Sequence, residues 1–149
     1  RTVLVNPTDT LSTVLRKQLL VLGVKVGCDE GQCGACNVIM NGKLIRSCIT
    51  KITRVPEGAE ITSIEGIGTP DNLHPIQVAW ILHGGAQCGF CSPGMIMSTK
   101  GLLLKNPDPS EEEIKEALGG NICICSNYEH IINAVKSAAQ KMSEERNNG

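Results

Sequence analysis

The chain changes its apolar rhythm near the middle. "TVLVN" at residues 2–6 is a short apolar run that predicts a strand. Leu11, Val14, Leu15, Leu19 and Leu22 then repeat at helical spacing behind a possible Asp9 or Thr10 cap, with Gly23 as the stop. "CNVIMNGKLIRSC" places two apolar arms around Asn41-Gly42, the pair favoured in tight type I′ hairpins. "AEITSIEGIG" reads as one more strand closed by glycines, with Gly66-Ile67-Gly68 as a turn. Strands and one packed helix make a small α+β unit.

Beyond "GTPDNLHP" the pattern is helical. Pro75 suits a first helical position, and Ile76, Ala79, Trp80 and His83 follow at helical spacing until Gly84-Gly85. A second helix is expected from Pro93 to about Lys105, and a third after Ser110, where Ser110 and Glu113 have capping-box spacing. Ile131, Ile132, Val135, Ala138 and Met142 form the last stripe, and "KMSEERNNG" is expected to fray. Four helices in this half suggest a small bundle. The expected division is residues 1–70 and 71–149.

With 149 residues, the chain is one ordinary domain or two very small ones. Its 14 Lys+Arg against 15 Asp+Glu argue against nucleic-acid or anionic-membrane binding as the main task. No apolar run approaches the roughly 18 residues of a membrane span. The chain opens at Arg1 without methionine or a signal-like segment, so a trimmed start and a cytoplasmic location are expected. One Trp, one Tyr and one Phe leave two cores of small aliphatic residues, which calls for crosslinks, metal or a partner.

The eight cysteines are the candidates. Cys28, Cys33 and Cys36 follow C-x4-C-x2-C, and Cys48 comes after eleven intervening residues. This is the plant-type [2Fe–2S] spacing, three ligands in a loop and a fourth from elsewhere. Gly27, Gly31 and Gly34 suit a loop that brings amides close to an anionic cluster. Cys88 and Cys91 form C-x2-C, and after 31 residues Cys123 and Cys125 form C-x-C, each pair at a helix end. A disulfide framework would also use an even number of cysteines, and a zinc adaptor would also cluster them. Clustering in glycine-rich loops opposes the first, and the spacings are awkward for tetrahedral zinc.

The stretches "GVKVGCDEGQCGACNVIMNGKLIRSC", "NLHPIQVAWILHGGAQCGFCSPGMIMSTKGLL" and "NPDPSEEEI…GGNICICSNY" resemble the two-cluster iron–sulfur subunit, or N-terminal domain, of the molybdenum hydroxylases. This is the xanthine dehydrogenase and aldehyde oxidoreductase family, and the wording around "AWILHGGAQCGFCSPG" is most similar to the aldehyde oxidoreductases. The resemblance implies an α+β fold: a β-grasp plant-type ferredoxin domain followed by a four-helix bundle. It places one [2Fe–2S] cluster on Cys28, Cys33, Cys36 and Cys48, and a second on Cys88, Cys91, Cys123 and Cys125. It puts Gln87 and Cys125 against the pterin of a molybdenum cofactor held by a large partner subunit. The implied role is electron relay from molybdenum to a flavin (FAD) subunit or external acceptor, with an aldehyde or N-heterocycle oxidised on the partner. A free-standing two-cluster ferredoxin is the alternative within the same chemistry.

No general base or nucleophile constellation is present, so no catalytic residue is assigned. His74, His83 and His130 lie at helix borders without a shared spacing and are read as satisfied or surface histidines. Without the resemblance, Gln87 would be a polar helix end. Three departures from the family stand out. The family opens with a strand upstream of the first one visible here. Ile124 replaces a common arginine between the last cysteines, which predicts a lower potential for that cluster. Ser126 and Asn127 replace threonine-glycine, and Asn127 is the residue expected to tolerate the left-handed turn.

Overall fold

The computed structural model describes residues 2–148. In the first half, a short helix α1 opens as an α-turn at Leu11–Thr13 and continues as a π-helical stretch, Val14–Gln18. The sheet consists of β1 (Asn37–Met40), β2 (Lys43–Arg46) and β3 (Ile61–Thr62) in the order β2-β1-β3, every pair antiparallel. Asn41 and Gly42 take φ of 49° and 77°, as a type I′ turn demands, and fix the register Met40↔Lys43 to Asn37↔Arg46. Leu11, Leu15, Val24, Cys36, Val38 and Cys48 form the core under this sheet.

Two expectations for this half are corrected. Residues 2–6 form no strand. A strand exists through its pairing and its buried face, and here Leu4 is 96% exposed, so its apolar side chain has nothing to cover it. The first helix also ends early. In the π-helical stretch Leu19 N–H bonds to Val14 C=O, which turns the following residues off the apolar stripe. Leu20 then turns left-handed with φ 56°, and Leu22 is exposed. The Arg16 guanidinium closes the turn by donating to the Leu22 and Val24 carbonyls.

The second half packs four helices: α2 (Pro75–Leu82), α3 (Ser92–Lys105), α4 (Glu111–Leu118) and α5 (Tyr128–Asn147). The capping box forms at α4 as predicted, with Ser110 Oγ accepting from Glu113 N–H and Glu113 accepting from Ser110 N–H. At α2 the cap is a histidine: His74 Nδ1 accepts from Ile76 N–H while Gln77 Oε1 accepts from His74 N–H. Trp80, Met95, Ile114, Ile131 and Val135 are central to the core, and α2 packs chiefly on α5. The last helix does not fray at residue 141 but runs to Asn147, because Met142 still packs on the core.

The halves meet where α3 crosses β1. A buried polar chain joins them: Asn37 Nδ2 donates to Ser98 Oγ at 2.8 Å, and Ser98 Oγ donates to Asn121 Oδ1 at 2.7 Å. Asn121 Nδ2 in turn donates to the Gly34 carbonyl at 3.3 Å. Arg46 Nη2 adds a bond to the Gly120 carbonyl at 3.2 Å. No described helix is long and apolar enough to cross a membrane.

Candidate metal centres

The loop from Gly27 to Cys36 curls around the Cys28 sulfur. Amides of Glu30, Gln32 and Cys33 donate to Cys28 Sγ at 3.5, 3.2 and 3.4 Å. This curl needs left-handed backbone at Asp29, Gly31 and Gly34. Gly27 serves differently: a Cβ there would stand 3.0 Å from Cys33 Sγ. The hairpin delivers Cys48 just past β2, buried, with its N–H donating to Cys36 Sγ at 3.5 Å.

The four sulfurs of this half are arranged in pairs. Cys33 is in hydrogen-bonding contact with Cys28, and Cys36 with Cys48, while Cys48 also feels the charge of Cys28. The amides of Cys33 and Glu30 hold the Cys28 thiol down at about 6. Burial, with the Cys36 sulfur alongside, pushes Cys48 up to about 12. The helical half repeats the arrangement, pairing Cys91 with Cys123 and Cys88 with Cys125. Burial pushes Cys91 up to about 12. Burial also opposes ionisation of Cys123, but amides of Asn127, Cys125 and Ser126, with the Cys91 thiol, outweigh it and lower its pKa.

Paired thiols within a cradle of amides fit a two-iron cluster, in which each iron takes two thiolates and the anionic core attracts N–H donors.

The second cysteine loop departs from expectation in one detail. Asn127 is not left-handed but has φ −83° and ψ 25°; the turn is made by Ser126 at φ 54°. Asn127 is instead buried, its side chain engaged with Gly84 and Gln87, so its torsion follows from those bonds. Ile124 is 92% exposed and uncharged, so the residue between Cys123 and Cys125 brings no cation to their sulfurs. Tyr128, which sequence reasoning passed over, accepts from Cys123 N–H at 2.8 Å through its hydroxyl. An aromatic three residues past a ligand was the available signal.

Gln87 and Cys88 are exposed and Cys125 is half-buried, all at one end of the bundle. The histidines do not join the sulfurs: His74 caps α2, and His130 Nδ1 lies 3.1 Å from the His83 carbonyl. Between the sulfur sets lies a cavity of about 290 Å³ lined by Cys28 and Cys33 from one and Cys88 and Cys91 from the other, with Phe90, Ile122 and Ile124. Ile122 N–H donates to the Cys33 carbonyl at 3.0 Å, a direct backbone link between the two cysteine loops.

This fold and site define a two-centre iron–sulfur protein. Residues 1–63 match the family described as 2Fe-2S iron-sulfur cluster binding domain, and residues 63–136 the family described as [2Fe-2S] binding domain. "Aldehyde oxidoreductase" of Megalodesulfovibrio gigas is 59% identical over 131 residues, covering 87% of this chain and 14% of that protein. The "Nicotine 6-hydroxylase small subunit" of Paenarthrobacter nicotinovorans is 42% identical over 138 residues, covering 93% of this chain and 82% of that subunit. Among solved structures, the aldehyde oxidoreductase from Desulfovibrio gigas superposes with a TM-score of 0.94 at 53% identity. That match covers 97% of this chain and 16% of the other. The chain belongs to the two-cluster [2Fe–2S] iron–sulfur subunits and domains of the molybdenum hydroxylase family. It spans about one seventh of the length of the aldehyde oxidoreductase it matches.

Proposed function

We propose that this chain is the electron-transfer component of a molybdenum-dependent hydroxylase, relaying electrons from a molybdenum–pterin site on a large partner through two [2Fe–2S] clusters to a flavin subunit or external acceptor. Cys28, Cys33, Cys36 and Cys48 hold the plant-type cluster in a domain spanning residues 1–70. Cys88, Cys91, Cys123 and Cys125 hold the second in residues 71–149, and Gln87 and Cys125 face the pterin. Each cluster, when bound, takes up and returns a single electron.

The chain's own residues fix where the sulfurs stand and what surrounds them. Amides around Cys28 and Cys123 favour negative charge on sulfur, while the buried Cys48 and Cys91 sites withhold solvent. The observation that carries the reading is the cavity that both cysteine sets line, bridged by the Ile122–Cys33 backbone bond. Two centres facing one small apolar gap are built to exchange electrons with each other. Exposed Ile81, Leu82, Phe90, Ile122 and Ile124 extend from the second site and suit coverage by a large partner. The substrate, an aldehyde or an N-heterocycle, is oxidised on that partner, and assembly in the cytoplasm suits eight reduced thiols.

Metal and sulfide analysis of the anaerobically isolated chain tests the reading. About four irons and four sulfides per chain are expected, with two distinguishable electron paramagnetic resonance signals on reduction. Zinc without acid-labile sulfide would overturn it.

A further inference from the structure

Asn127 sits beside the last two cysteines, yet its side chain serves the other cysteine loop. It is 4% exposed, and its Nδ2 donates to the Gly84 carbonyl at 2.8 Å. A carbonyl oxygen only accepts, so this bond settles which end of the Asn127 amide carries nitrogen. Oδ1 therefore faces Gln87, and Gln87 has to present Nε2, which donates at 3.3 Å. Within the described residues Gln87 Oε1 then has no hydrogen-bond partner.

The same residue also acts through its backbone. Its N–H turns to the Cys123 sulfur, and its C=O accepts from Ile131 N–H at 3.1 Å, starting α5. Besides the Cys88 thiol and amide, which meet the Cys125 sulfur, the loop it restrains has little to order its tip. Gly85 is seated on Trp80, but Gly84 and Gly89 are both left-handed, and Ala86, Gln87 and Cys88 between them are exposed. The His130–His83 contact ties α5 to the end of α2 and stops short of this tip.

We propose that Asn127 is a positioning residue that holds the Cys88 loop against the Cys123 loop and locks the Gln87 amide with Nε2 inward and Oε1 free for a donor. The group docked against Gln87 then presents an N–H or O–H donor to Oε1. This rests on the reading of Gln87 as the pterin contact. It assigns to Asn127 the orientation that contact requires.

The test uses the full chain reconstituted with iron and sulfide, comparing wild type with Asn127→Ala. Hydrogen–deuterium exchange of residues 84–88 is expected to rise about tenfold, as loss of local bonds predicts. The electron paramagnetic resonance signal of the second cluster should broaden and its midpoint potential shift, while the plant-type signal stays unchanged. In a double-mutant cycle, Gln87→Ala should add less on Asn127→Ala than on wild type. If Asn127→Ala does not fold, Asn127→Asp carries the test. It keeps an acceptor for Gln87 and loses the donor to Gly84, so faster exchange should appear first at residues 84–86. Wild-type exchange and spectra in either folded variant would overturn the proposal. A wild-type chain that binds no clusters would defeat the functional reading alone, because exchange in the unloaded chain still decides whether Asn127 orders the loop.

Discussion

Gly94, in the first turn of α3, is the point where the two halves press backbone against backbone most closely among the glycines of the junction. A Cβ there would lie 2.2 Å from the Gly34 carbonyl oxygen and 2.9 Å from Ala35 Cα, both backbone atoms, whereas ordinary contact begins at 3.4 Å. Gly94→Ala therefore has to open the junction by about 1.2 Å, since no side chain can swing aside. That movement would take Asn121 Nδ2 and the Gly34 carbonyl, now 3.3 Å apart, out of bonding range, and would strain the Ile122–Cys33 bond. Helix propensity alone gives the opposite sign, since Ala stabilises a helix interior by about 1 kcal/mol over Gly. Overpacking costs about 1–3 kcal/mol and each lost buried hydrogen bond about 1 kcal/mol more. The net expectation, after the helix-propensity gain is subtracted, is a loss of about 1–3 kcal/mol. Urea unfolding of the cluster-loaded chain measures it, and the magnetic coupling between the two reduced clusters should weaken in parallel. A variant as stable as wild type, or more so, would refute the argument that the halves meet through unyielding backbone.

Other outcomes follow from single sites. Cys48→Ser should abolish the plant-type resonance signal and leave the second intact, with iron content falling by about half. Ser98→Ala strands the buried Asn37 Nδ2 and Asn121 Oδ1 together, so a loss of about 2–4 kcal/mol in urea unfolding is expected. His74 has its pKa lowered from the ordinary 6.5, by burial and then by Lys100, with Glu145 opposing. Only neutral Nδ1 can accept from Ile76 N–H, so the cap's contribution is complete above 6.5 and is lost as pH falls below it through the lower folded-state value. Unfolding midpoints of wild type and His74→Asn should diverge across that window and run parallel above pH 7, because Asn caps without titrating.

The amino-acid sequence by itself determined the chemistry and most of the local structure. The Asn41-Gly42 turn and the Ser110–Glu113 box are local constraints, satisfied within a few residues by backbone torsion and hydrogen bonding. Helical periodicity likewise gave α2 to α5, because one apolar stripe suffices to place a helix on a core. Tertiary structure decided the rest. Residues 2–6 have a strand's composition but no ladder or buried face, and composition cannot supply a neighbour. The first helix ends at a π-stretch whose extra residue per turn redirects its apolar positions. Ser126 rather than Asn127 turns left-handed, because the Asn127 amide is committed to a loop about forty residues away in sequence. The polar chain from Asn37 through Ser98 and Asn121 to Gly34, and the gap shared by both sulfur sets, arise only when the halves meet. A spacing tells which atoms can bind a metal; only packing tells what those atoms face.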